Sequence, residues 1–262
     1  MKVAVVINEN INHTNEVLSG VKSSLTASSV SYDVLNVDEL NYGYDIVCAI
    51  GGDGTILKVS RFYARHSVPV MGINLGRLGF LSLVSPYVID KLGEIIKTKQ
   101  YVIRERMMLK SLDNTALNDI VIKGHSSART SRFNLYINNN LVCDYIADGI
   151  IISTPTGSTA YGLSAGGPIL HPGFDAMVIV PICAHTMSAR PLVVPSKEII
   201  TVKSEDEALD MTCDGQVTVK DVNEVVIEQS QFKAKLAFPK DYRFYSVLHK
   251  KLRWGTSPVS ED

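Results

Sequence analysis

The segment Gly51-Gly52-Asp53-Gly54-Thr55 sets one carboxylate among glycines, directly after the apolar run 45–50 and ahead of a stretch with helical spacing, 56–65. Glycines let a chain turn tightly and present backbone N–H groups to an anion, and a helix N-terminus adds about half a positive charge. Gly51, Gly52, Gly54 and Thr55 are therefore candidates for holding phosphate. The segment lacks the Gly-Lys-[Ser/Thr] ending of a Walker A loop and is not a Gly-x-Gly-x-x-Gly turn. A carboxylate beside phosphates repels them unless it binds a divalent ion or takes a proton from an attacking hydroxyl. Either role belongs to phosphoryl transfer. Asp53 could equally cap a helix beginning at Thr55, a common task for Asp, and the loop alone leaves the two readings level.

Further chemistry is spread along the chain. Gly72-Ile73-Asn74-Leu75-Gly76-Arg77-Leu78-Gly79-Phe80 leaves an apolar strand-like run, as ligand-binding loops of doubly wound sheets do. By itself it reads as an ordinary strand-to-loop turn. Asn118-Asp119 heads the run Ile120-Val121-Ile122; an adjacent amide and carboxylate can read an adenine edge and a ribose diol, or simply close an Asx turn. The stretch 148–168 is the longest polar, small-residue segment, and Thr159–Ser164 could open a helix whose N–H groups and hydroxyls meet a polar ligand. Within it Gly162-Leu163-Ser164-Ala165-Gly166 matches a nucleophile elbow, and Asp214 and His249 follow in hydrolase order. An elbow must turn sharply out of a buried strand, and Pro155 and Gly157 intervene, so that reading fails on context. Asp214-Gly215-Gln216 reads as a hairpin turn. The six histidines show no paired ligand spacing.

The elements that must position these groups change texture along the chain. Up to residue 100, strand-like runs (2–8, 32–37, 45–50, 68–74) alternate with helical patterns (15–27, 56–65, 88–98), which indicates a parallel sheet covered on both faces. From Tyr101 to Phe238 most segments read as strands separated by turns, among them 102–112, 117–123, 133–137 and 141–152, which argues for an antiparallel sandwich. The expected fold is an α/β N-terminal domain, Rossmann-like with a parallel sheet, followed by an all-β sandwich domain.

Composition narrows the partners. Twenty-six basic and 27 acidic residues leave a net charge of −1, so no global field attracts nucleic acid or anionic lipid. No apolar run approaches the roughly 18 residues of a membrane span. Cys48, Cys143, Cys183 and Cys213 are widely spaced, with no Cys-x-x-Cys pair, and read as buried thiols in a reducing cytosol.

Taken together, these segments resemble the NAD kinases, which phosphorylate the 2′-hydroxyl of the adenosine ribose of NAD. The likeness runs in order through GGDGT (51–55), GINLGRLGFL (72–81), LND (117–119), DGIIISTPTGSTAYGLSAGGPILHP (148–172), PICAHTMSARPL (181–192) and DGQ (214–216). It implies Asp53 as general base, with Asp53, Gly54 and Lys58 in the substrate site and Asn118 and Asp119 as the nucleoside-binding pair. Arg129, Ile146, Asp148 and Thr156 fall at positions of NAD contact, as do Thr159, Ala160, Tyr161, Gly162, Leu163, Ser164 and Gln216. Ile146 is apolar where relatives carry a basic residue, so a contact there would run through backbone. Ala184 interrupts a segment that often reads Pro-Ile-Cys-Pro-His.

The resemblance further implies ATP or polyphosphate as donor and a divalent cation, Mg²⁺, with no protein side chain assigned as a metal ligand. It implies an α/β domain over 1–100 that carries the GGDGT loop and is rejoined by 240–262, and a β-sandwich NAD-binding domain over 101–239. A cytoplasmic homodimer or homotetramer is expected, with NAD and ATP as its partners and neither nucleic acid nor membrane. The rival readings are a lipid kinase of the diacylglycerol type, which needs a deep apolar cleft, and a non-catalytic NAD(P) sensor, which has no use for a carboxylate beside phosphates.

Overall fold

The structure, a computed structural model, describes residues 1–9, 11, 14–82, 84–125, 130–185 and 188–253. The chain divides into two compact units. One comprises 1–105 together with the chain from Lys235 onward, the other Arg106–Ala234.

The first unit is built on a six-stranded sheet in the order Ser31–Asn36, Lys2–Ile7, Ile46–Ile50, Val70–Ile73, Ala234–Pro239, Tyr101–Arg106. The first five are joined by parallel pairings. Ile46–Ile50 is buried at every position, as a strand covered on both faces must be. Helices Thr14–Ala27, Asp53–Ala64 and Leu92–Lys97 connect the strands. The helical pattern at 88–98 proves to be two pieces, a 3-10 turn Pro86–Lys91 running into the short α-helix. A last helix, Phe244–Leu252, follows the returning strand, and no helical pattern marks it in the sequence reading.

The second unit pairs its strands antiparallel among the described residues and holds two six-stranded sheets. One runs Asn140–Ala147, Ser131–Ile137, Ile200–Lys203, Glu224–Gln229, Leu109–Ser111, Asn114–Ala116; the other runs Leu192–Pro195, Ala176–Ile182, Gly149–Ser153, Asp119–Gly124, Leu209–Cys213, Val217–Val222. Phe133, Leu135 and Val202 from the first meet Ile120, Ile150, Ile152 and Met211 from the second in one buried cluster. At roughly 1.5–3 kcal/mol for each large apolar side chain, this cluster is the main source of the unit's stability.

Two expected strands are divided. The run 102–112 splits into Tyr101–Arg106 and Leu109–Ser111, which belong to different sheets. The run 141–152 splits at Asp148, where the chain passes from one sheet of the second unit to the other. Continuous apolar character does not distinguish one long strand from two strands that change sheets. Cys48 and Cys213 are buried, but Cys143 is only half-buried and Cys183 is exposed, which corrects the reading of four buried thiols.

Candidate functional site

Adjacent parallel strands bring the two glycine loops of the first unit together. Ile46–Ile50 and Val70–Ile73 pair in register, Ile50 beside Ile73, so the chain leaves both strands at the same sheet edge. The Gly51 amide donates to the Ile73 carbonyl at 2.9 Å. The helix begins at Asp53 itself, with Gly52 as its N-cap and no side-chain cap bond. The capping reading of Asp53 is therefore wrong.

Its carboxylate turns instead to the second loop. Oδ2 accepts from the Phe80 amide at 2.8 Å, and Oδ1 accepts from the amides of Leu81 and Ser82 and the Ser82 hydroxyl, each at 3.1 Å. Gly79 is required by this close approach, because a Cβ there would overlap Asp53 Oδ1 and Ser82 Oγ. Buried Asn74 shapes the same loop, donating to the Ser82 carbonyl at 3.2 Å and accepting from the Gly76 amide at 2.9 Å. Lys251, near the end of the last helix, donates to the Leu78 carbonyl at 2.7 Å. Lys58 is paired with Asp38 on the surface of this unit.

In the second unit, three stretches far apart in sequence become one hydrogen-bonded body. Asp119–Gly124 lies between Gly149–Ser153 and Leu209–Cys213, with Asp119 opposite Ser153 and Ile120 opposite Cys213. This register brings Asp214 alongside Asp119, and the Asp214 amide donates to the Asp119 carbonyl at 2.9 Å. With φ at 51°, Asp214 turns its carboxylate back across the Asn118 peptide. Oδ2 accepts from the Leu117 amide at 3.0 Å, and Oδ1 accepts from the amides of Asn118 at 2.7 Å and Asp119 at 3.2 Å. From the other side the Thr154 hydroxyl donates to the Leu117 carbonyl at 2.6 Å, and the Thr154 amide to the Asn118 carbonyl at 2.8 Å. Gly157 packs so tightly on Asn118 that any Cβ would strike that residue's backbone.

The clamped peptide borders a cavity of about 910 Å³. Among the expected site residues Asn118, Asp119, Asp148, Ala160 and Tyr161 line it, joined by Asp214. Asp119 is 5% exposed, and among the described residues its carboxylate has no hydrogen-bond partner. Burial first, and then the nearby charge of Asp214, push its carboxyl up to about 7. Farther along the wall, His125 Nδ1 lies 3.2 Å from both Asp210 and Asp221, which hold the imidazole pKa above its usual value, chiefly through the bond to Asp210.

Other expected residues lie off this wall. Thr156 is buried, and its carbonyl accepts from the Thr159 hydroxyl at 3.2 Å. The Ser158 hydroxyl donates to the Pro155 carbonyl at 2.8 Å. The Thr159 hydroxyl thus bonds to nearby backbone, where the sequence reading turned the hydroxyls of Thr159–Ser164 toward a ligand, and the neighbouring Ser158 hydroxyl does the same. Thr159 and Leu163 are half-buried, Gly162 is buried, and Ser164 is exposed. Ser164 sits in the short helix Tyr161–Ser164, which again excludes a nucleophile elbow. The Ile146 carbonyl already accepts from the His185 amide at 2.8 Å, and the Ile146 side chain is exposed. Gln216 is exposed in the hairpin turn. Arg129 lies outside the described residues. Sequence reasoning gave no role to Asp214 beyond a turn, nor to Ser82 or Asn74. The DGQ turn was the signal for Asp214, and nothing local marks the other two.

The two halves of the chain match two family descriptions: "ATP-NAD kinase N-terminal domain" over residues 3–101 and "ATP-NAD kinase C-terminal domain" over 117–238. An NAD kinase of Pseudomonas aeruginosa is 42% identical over 227 residues, covering 81% of this chain and 77% of that protein. One from Teredinibacter turnerae is 39% identical over 256 residues, covering 92% and 87%. A solved NAD kinase from Archaeoglobus fulgidus in complex with ATP superposes with a TM-score of 0.82 at 28% identity, covering 97% of this chain and 99% of that one. Yeast NADH kinase complexed with NADH shares the fold, with a TM-score of 0.85 at 22% identity, covering 98% and 89%. With both halves matched in order, the chain belongs to the ATP-NAD kinase family.

Proposed function

We propose that the protein transfers the γ-phosphoryl group of ATP to the 2′-hydroxyl of the adenosine ribose of NAD, making NADP. The observation that carries this reading is one cavity wall on which Asn118, Asp119, Asp148, Ala160 and Tyr161 meet, five positions that the family resemblance associates with NAD. Asn118 and Asp119 offer an amide and a carboxyl side by side, suited to a base edge and a sugar diol. Tyr161 is exposed and offers a ring against which a base can stack. The lining of this cavity is rich in polar and acidic groups, which suits a nucleotide and not a diacylglycerol tail.

Asp53 is assigned as the base that receives the 2′-hydroxyl proton as the oxygen attacks the γ-phosphorus. A ribose hydroxyl is a poor nucleophile at neutral pH, and a placed carboxylate contributes about 10² to 10⁴ in rate. Positioning and charge neutralisation supply most of the remainder. A carboxylate has about four lone-pair positions, and four donors already face Asp53. Three are amides, which can only donate. The Ser82 hydroxyl can rotate and accept instead, so it is the partner able to adjust when Asp53 gains a proton. The glycine loop at Gly51, Gly52, Gly54 and Thr55 would hold the donor's phosphates, though not through the Gly51 and Thr55 amides, which already donate to the Ile73 and Gly52 carbonyls, and Lys58 would bear on the substrate once released from Asp38.

The described residues offer no all-oxygen cage for Mg²⁺. The Asp53 oxygens are taken, and the group His125, Asp210 and Asp221, whose candidate ligand atoms lie within 4.8 Å of one another, contains an imidazole where Mg²⁺ prefers oxygens. A divalent cation would therefore enter with the phosphates, and no step is assigned to it. Polyphosphate as donor and a homodimer or homotetramer rest on the resemblance, and a cytoplasmic location on the resemblance together with the cysteine pattern.

Incubation with ATP and NAD followed by detection of NADP tests the reading. Phosphorylation of diacylglycerol but not NAD would replace it with the lipid-kinase alternative, and binding of NAD without turnover would replace it with a sensor.

A further inference from the structure

We propose that Asp214 is a positioning residue for the nucleotide site: its carboxylate fixes the Asn118–Asp119 backbone, and its negative charge bears on the neighbouring Asp119 carboxyl that would face a sugar diol. The inference rests on the NAD-binding reading of this cavity. It goes beyond that reading by giving a role to a residue that need not touch the ligand.

Leu117, Asn118 and Asp119 present consecutive N–H groups, and one buried carboxylate, 9% exposed, receives all of them at 2.7–3.2 Å. Three bonds from successive residues leave the peptide little freedom, so the directions in which the Asn118 and Asp119 side chains leave it are fixed. A hairpin that merely closed on itself would need none of them. Bonds to an ionised acceptor are shorter and stronger than neutral ones, and an amide side chain cannot replace this acceptor, because one of its two ends is itself a donor.

Asp119 is buried on the cavity wall with no partner for its carboxylate among the described residues, and Asp214 is the one neighbouring charge that moves its ionisation. The other ionisable groups on that wall are Lys123, His125, Asp148, Tyr161 and Asp210, and His125 and Asp210 are occupied with each other. Ribose hydroxyls donate well to a carboxylate and poorly to a neutral acid. With the Asp119 carboxyl pushed up to about 7, the accepting form is scarce at pH 6 and dominant at pH 8. The adenine and the diphosphate of NAD keep their charges across that interval. Removing the Asp214 charge lets Asp119 ionise at lower pH.

The test is calorimetric binding of NAD to the full chain at pH 6 and pH 8. The unaltered protein should bind about tenfold more tightly at pH 8, the ratio of ionised Asp119 expected for a group titrating near 7. Asp214→Asn should bind about three- to tenfold more weakly at pH 8, because the Leu117 amide then faces an NH₂ group. Its ratio between the two pH values should shrink to about threefold or less. Asp214→Glu keeps the charge and misplaces the oxygens, so it should weaken binding yet retain the tenfold ratio. Asp119→Asn, needed should Asp214→Asn fail to fold, should abolish the ratio with Asp214 in place. A ratio that survives in Asp119→Asn, or an Asp214→Asn protein equal to the unaltered one in affinity and ratio, would overturn the proposal. No binding of NAD by the unaltered protein at either pH would overturn the NAD reading itself.

Discussion

Replacing Asp53 by Asn removes the proposed base while changing the side chain's shape very little. Three of the four bonds to the 80–82 loop end on Oδ1 and one on Oδ2, from the Phe80 amide at 2.8 Å. An Asn whose carbonyl takes the Oδ1 place keeps three bonds and sets its NH₂ against the Phe80 N–H. One unsatisfied amide and the loss of a charged acceptor cost about 1–3 kcal/mol, a fall of a few degrees in melting temperature, which the fold survives. Loss of the base should lower kcat by about 10² to 10⁴. Because the loop is disturbed as well, Ser82→Ala is the necessary partner: it removes one of the four bonds and leaves the carboxylate. A charged hydrogen bond contributes about 1.5–3 kcal/mol, so even full transmission to the transition state costs about 10- to 150-fold. The assay is steady-state kinetics with ATP and NAD, with melting curves and NAD affinity for both variants. Turnover by Asp53→Asn close to the unaltered protein removes Asp53 from the base role. Equal and large losses in the two variants, with NAD binding intact, show that the loop and not proton transfer controls the rate.

Three further outcomes are expected. Gly157→Ala places a Cβ against the Asn118 backbone, so it should lower the melting temperature and raise KM for NAD more than it lowers kcat; unchanged KM would separate this contact from the site. Asp119→Asn should melt higher than the unaltered protein at pH 8, by clearly less at pH 5 and equally only near the unfolded value of 3.8, although it binds NAD more weakly. The folded-state pKa of Asp119 is raised, so its contribution to stability is fully present below about 3.8 and is lost progressively as pH rises from there through about 7. The span from 3.8 to about 7 sets an upper limit of about 4 kcal/mol, and equal melting at pH 8 would refute the charge argument. Lys58→Ala breaks an ion pair whose side chains are 42% and 63% exposed, so stability should change by less than about 1 kcal/mol. A fall in kcat/KM would then report on substrate, and unchanged kinetics would take Lys58 out of the site.

Much of the fold was legible because it depends on local pattern. The buried run at Ile46–Ile50 and the alternating strands at 133–137 each carry their periodicity in a few consecutive residues. The divided strands were not legible, since Asp148 marks a passage between sheets that the surrounding apolar residues do not announce. The site followed the same division. Asp53 stood out because an acid among glycines is chemically odd, and Asn118-Asp119 because an amide and an acid sit side by side.

The amino-acid sequence by itself determined which groups are available, an acid in a glycine loop, an amide–acid pair and a block of small hydroxyl residues, and the family to which their order belongs. The tertiary structure decided which way each group faces. It turned the Asp53 carboxylate onto Phe80, Leu81 and Ser82 instead of its own helix, and it folded the hydroxyls of Ser158 and Thr159 back onto backbone. It also brought Asp214 against three amides nearly a hundred positions earlier in the chain. A hydrogen bond needs its partner within about 3 Å in the right direction, and strand register alone sets that for residues so far apart.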